Sequence, residues 1–130
     1  MTQSYSMETT LDASFDEAVA KVTEALKAEG FGVLTEIDVK ATLKKKIDVD
    51  FRPYKILGAC NPKLAHKALQ ADSTVGLLLP CNVVVEEVEG GTSVKFLDPR
   101  AMFQVVESPA IEPVMKEATE RLQRALASLG

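Results

Sequence analysis

The chain contains two cysteines and two asparagines, and each asparagine directly follows a cysteine: Cys60-Asn61 ahead of Pro62, and Cys81-Asn82 behind Pro80. A thiolate is a nucleophile, a redox group and a soft metal ligand. Cys60 also stands just before a helix N-terminus signalled by Asn61-Pro62, where free amides and the helix dipole favour a thiolate or a bound anion. Cys60, Asn61, Pro80, Cys81 and Asn82 are therefore the candidate ligand-binding set. They would form one mostly apolar pocket with a polar end, suited to an anionic or carbonyl-bearing ligand. Tyr54 and Lys55, on the strand leading there, and His66, on the helix beyond, are candidates for its rim. Each residue also has an ordinary structural account: a cysteine as a small hydrophobe, Asn61 as a helix cap, Pro80-Cys81-Asn82 as a bulge. That account covers the residues singly and leaves their pairing unexplained.

Other chemistry has few carriers. Two cysteines and one histidine exclude a four-ligand Cys/His zinc site within one protomer, so no metal site is assigned. There is no glycine-framed nucleophile elbow and no Gly-rich phosphate loop. Glu86 and Glu87 are neighbours on a strand and point to opposite faces. Asp48 and Asp50 share a face but alternate with core positions, as solvent-facing residues do. Lys44-Lys45-Lys46 reads as an anion-binding patch or as a solvated strand end, and three lysines favour the second. No catalytic residue and no cofactor is assigned. Two functions remain: non-catalytic binding of a small molecule or partner protein, which is preferred, and thiol-dependent redox or metal or haem handling by Cys60 and Cys81, with His66 as a further ligand. The second needs a base or cation beside the thiol, and the single histidine lies on the polar side of its helix.

The elements that must position these residues follow from periodicity. Tyr5 to Thr9 precedes a helix at Ser14 to Glu29, where Ser14 and Glu17 have capping-box spacing and Gly30 supplies the stop. Phe31 to Val39 alternates as a half-buried strand. Lys46 to Phe51 repeats that alternation, which predicts a hairpin around Val39 to Ala41. Tyr54 to Cys60 is a further strand, followed by a helix from Asn61 to about Ala71. Val75 to Val88 is a long apolar run in which Pro80 marks an edge strand or bulge. Glu89-Gly90-Gly91-Thr92 signals a tight hairpin into Ser93 to Leu97. Asp98-Pro99 opens a short helical turn through Phe103. A closing helix runs from Pro109 or Pro113 to Ser128, with Glu112/Lys116, Glu117/Arg121 and Glu120/Arg124 at i,i+4 on its outer face. The order β-α-β-β-β-α-β-β-α predicts an α+β fold, a single antiparallel sheet with helices packed on one face.

At the cysteine segments the sequence resembles a known family. Ile56-Leu57-Gly58-Ala59-Cys60-Asn61-Pro62 with Ala65 and Ala68-Leu69, then Leu78-Leu79-Pro80-Cys81 and Asp98-Pro99, is similar to the domain-of-unknown-function family 302 over nearly the whole chain. The resemblance implies a compact α+β domain with a topology like that of the TATA-box-binding-protein group, and no established activity. The DNA readers of that group use a basic concave sheet, which this chain does not carry.

Composition bounds the rest. A chain of 130 residues with 46% apolar and 26% charged residues reads as one domain, residues 1–130, able to hold a core without disulfide or structural metal. A net charge of −4 disfavours nucleic acid as a partner. No apolar run is long enough to span a bilayer, and Met1 to Thr10 has no secretory pattern, so no membrane role and a cytoplasmic location with reduced cysteines are expected. A sheet with helices on one face leaves the other to cover, and the expected cover is a second copy in a homodimer.

Overall fold

The computed structural model describes residues 5–106 and 108–130, without the side chains of Met102 and Phe103. Strand β1 (Ser6–Leu11) runs into Ser14, whose hydroxyl accepts the Glu17 amide at 3.2 Å and donates to the Glu17 carboxylate at 2.9 Å. That cap starts α1 (Phe15–Ala28). The helix ends on Gly30 at φ 84°, with the Gly30 amide donating to the Lys27 carbonyl and the Phe31 amide to that of Leu26. Those two bonds are the Schellman closure, and a left-handed residue at this position favours glycine.

After β2 (Gly32–Asp38) the chain departs from the predicted hairpin. Asp38 accepts the Ala41 amide at 2.9 Å and caps a helix, α2 (Val39–Ile47), where sequence alternation predicts a turn and then a strand through Phe51. Val39, Leu43 and Ile47 recur at helical spacing, and the intervening Lys and Ala are good helix formers. Alternation at Ile47, Val49 and Phe51 carries no strand because no partner strand buries it: Ile47 and Val49 are exposed. Lys44, Lys45 and Lys46 thus lie on an exposed helix. Asp48 closes that helix in the left-handed region, and Lys44 lies 3.0 Å from Asp48 and 3.3 Å from Asp50.

Strand β3 (Tyr54–Cys60) leads to α3 (Pro62–Ala71), capped by Asn61 as expected. The apolar run beyond is not one strand. Asp72 accepts the Thr74 amide and opens a 3₁₀ segment, Ser73–Leu78, before β4 (Cys81–Val88) begins. The Leu79–Pro80 peptide is cis. Pro80 neither interrupts a strand nor marks an edge; lacking an N–H, it sits just outside the ladder that starts at Cys81. Strand β5 (Gly91–Leu97) returns through Gly90, and α4 (Pro99–Phe103), a 3₁₀ turn at Pro109–Ile111 and α5 (Glu112–Ser128) complete the chain.

The five strands form one sheet in the order β1-β5-β4-β3-β2, every neighbour antiparallel. This is the expected α+β architecture with one strand fewer. Helices α1, α3 and α5 bury Val22, Leu26, Leu64, Ala68, Ala118 and Leu122 against Leu57, Val83, Val85, Val94 and Phe96 on one sheet face. Helix α2 buries none of its residues. Of the three acid–base pairs expected along α5, Glu117–Arg121 alone closes among the described residues. Arg124 pairs instead with Glu29 at the end of α1, and Arg121 also donates to the Glu29 carbonyl at 3.1 Å, tying the two helices. No described helix is long and apolar enough to cross a membrane.

Candidate functional site

Successive strand residues point to opposite faces, and this alternation divides the two Cys-Asn segments. Cys81 lies opposite Ala59, a fully buried residue of the helix-covered face. There it lines a cavity of about 30 Å³ with Asn61, Phe31, Leu64, Ala68 and Met115. Such a space holds a water or two; small-molecule pockets run to about 300 Å³ and above. One polar oxygen is already engaged and the thiol is held protonated. Asn61 Oδ1 accepts the Leu64 amide at 3.2 Å, and burial pushes the Cys81 thiol up to about 11, with a smaller push from Cys60.

Cys60, Pro80 and Asn82 take the opposite face. Cys60 pairs with Gly32 one position beyond Ala59, and Asn82 pairs with Gly58. A Cβ at Gly58 would meet the Pro80 ring at 2.7 Å, so glycine is needed for this approach. The structure therefore brings Asn61 to Cys81 and Pro80 to Gly58, but it does not gather the five residues into one pocket. Both cysteines are free thiols, and burial raises Cys60 as well. His66 is exposed on α3, and the described residues contain no group of three His, Cys, Asp or Glu placed to hold a metal ion.

The rim candidates also separate. Lys55 turns to Glu36, 2.6 Å from its carboxylate, and this hydrogen bond raises the lysine's pKa. Tyr54 faces the other way, opposite Glu86, with its ring 5.9 Å from that of Phe51.

That second face, away from α1, α3 and α5 and here termed the open face, carries an arrangement the sequence reading missed. Glu86, whose side chain is only 9% exposed, accepts from Arg52 Nε at 2.9 Å and lies 3.4 Å from Lys95 Nζ. The Arg52 guanidinium also stands over the Phe51 ring at 4.4 Å. Beside this cluster, Ile37, Ile56, Val84 and Lys95 are mutual cross-strand partners in one row over four strands. The apolar stripe Ile37–Ile56–Val84 thus ends directly against a cation. Its signal in the sequence was parity: Glu86 shares the face of Val84, and an acid there needs countercharge.

An α+β domain with one five-stranded antiparallel sheet, helices on one side and Cys-Asn steps at the starts of α3 and β4 is what fold and site define. The family model for the domain of unknown function DUF302 matches residues 7–129, and the chain belongs to that family. A solved structure of an uncharacterized conserved protein DUF302 from Bacillus stearothermophilus is similar, with a TM-score of 0.90 and 29% sequence identity, covering 98% of this chain and 100% of that one. No curated protein matched the chain.

Proposed function

We propose that this chain is a non-catalytic binding domain that uses the open face of its sheet for recognition. The observation that carries this reading is the stripe Ile37–Ile56–Val84 running into the Arg52–Glu86–Lys95 cluster. Apolar surface beside a few convergent polar groups is the usual make-up of a small-molecule site. The cavity beside Asn61 and Cys81 is too small for one. A redox or metal role through paired thiols is less well supported, because the alternation of β3 and β4 sends Cys60 and Cys81 to opposite faces and both thiols are raised by burial.

A second copy of the chain is the other occupant that the stripe fits, since exposed Ile37 and half-buried Val84 gain most from being covered. Native mass spectrometry of freshly purified protein, with light scattering at micromolar concentration, tests the reading. A retained small molecule or a dimer mass, lost in Val84→Asp, is the expected result. A bare monomer indifferent to that substitution would overturn it.

A further inference from the structure

We propose that the occupant of the open face is an anionic amphiphile, a medium-chain carboxylate whose head group lies between Arg52 and Lys95 and whose chain follows Val84, Ile56 and Ile37. The inference rests on the open face being the recognition surface and adds the ligand's chemical class. Arg52 and Lys95 converge on the single carboxylate of Glu86 at 2.9 and 3.4 Å. Both remain within reach of solvent, at 50% and 40% side-chain exposure. Arg52 spends only Nε on Glu86, and an ammonium has three donors, so each keeps N–H groups for a second carboxylate. Glu86 holds both cations at the end of the stripe and is itself too buried to be displaced into water.

The stripe crosses three strand spacings from Lys95 to Ile37, about 14 Å, a span that suits an extended medium-length alkyl chain lying across the strands. Glu8, the cross-strand neighbour of Lys95 on its other side, opposes an anion. It is exposed, and its carboxylate accepts from Ser6 Oγ on its own strand, so water screens it more than it screens Glu86.

Decanoate, titrated below its micelle concentration and followed by calorimetry and amide chemical shifts, is the probe. The expected result is shifts centred on Val84, Ile56 and Ile37, affinity at least tenfold above that for decanol, a tenfold loss in Lys95→Gln, and a severalfold gain in Glu8→Gln. Lys95→Gln leaves the closer Arg52–Glu86 pair in place, and an unchanged thermal midpoint would verify its fold. Equal affinity for decanoate and decanol, or shifts on another surface, would overturn the proposal. If decanoate fails while a dimer protects the Val84 and Ile56 amides, the ligand class falls and the recognition face stands. If decanoate fails on a bare monomer, both fall.

Discussion

Arg52 and Glu86 lie 34 residues apart in the chain and meet at 2.9 Å on the open face of the sheet. The pair exists because β3 and β4 run antiparallel with Tyr54 opposite Glu86, so the residues just before β3 reach back over that position. The Glu87 amide donates to the Pro53 carbonyl at 3.0 Å and fixes that approach. Arg52→Ala leaves a nearly buried carboxylate with one weaker partner and is expected to cost about 1–3 kcal/mol. Glu86→Gln keeps the shape, removes the charge, and should cost less. Urea midpoints of the two variants check the order, and a larger loss in Glu86→Gln would refute it.

Asn61 caps α3 while standing beside Gly30, where a Cβ would fall 3.0 Å from Asn61 Nδ2. Asn61→Ala is expected to cost about 1 kcal/mol through the lost cap, and Asn61→Asp to retain most of it. Gly30→Ala forces an L-residue to φ 84° and should cost about 1 kcal/mol or more. The two substitutions are coupled. In the Asn61→Ala background the collision disappears while the backbone strain stays, so Gly30→Ala should cost less there, which a double-mutant cycle on thermal unfolding measures.

The elements legible in the sequence were those with chemically marked ends: Ser14 and Glu17, Gly30, Asn61-Pro62, Gly90-Gly91. Helix α2 was missed although Asp38 is a good cap, because Ile37, Val39, Ile47, Val49 and Phe51 fit a period of two and the helical spacing of Val39, Leu43 and Ile47 competes with it. Burial would have decided between the periods, and α2 has none to offer. The division of the candidate residues between the two faces has a different cause. The alternation that separates Glu86 from Glu87 also separates Cys60 from Asn61 and Cys81 from Asn82, and the pairing of residue types along the chain masked it. The parity of Glu86 with Val84 marked an acid in need of countercharge, but finding Arg52 and Lys95 as its partners needs the register of β3, β4 and β5.

Asp98 is buried at the start of α4, accepts the Arg100 amide at 2.9 Å and takes the Arg100 guanidinium on both oxygens. The side-chain hydrogen bond from Arg100 holds this carboxyl below the ordinary 3.8. The folded state therefore releases the proton more readily than the unfolded chain. Its stabilising contribution is fully present above the ordinary value and is lost as pH falls through the lowered one. Asp98→Asn should lower the thermal midpoint at pH 7, and the gap to the parent should narrow below pH 3.8. A gap that stays constant down to pH 2 would exclude this carboxylate as its source.

Cys81 and Cys60 should differ in reactivity. Burial on the helix side pushes the Cys81 thiol up to about 11, so at pH 8 only on the order of one molecule in a thousand carries the thiolate. Cys60 is raised by its own burial but lies on the open face. Iodoacetamide at pH 8 is expected to modify Cys60 first in folded protein and Cys81 only after denaturation, read by peptide mass mapping. The same displacement has a thermodynamic side. Because the folded state holds the Cys81 proton more tightly than an unfolded thiol near 9.0, raising the pH ionises the unfolded chain first. Stability from this group is complete below pH 9.0 and is lost up to about 11, with a slope of at most about 1.4 kcal/mol per pH unit. Cys81→Ser fills nearly the same space and does not titrate there. The stability difference between parent and Cys81→Ser should shrink as pH rises from 8 to 11, and a difference independent of pH would show that the thiol is not buried in its protonated form.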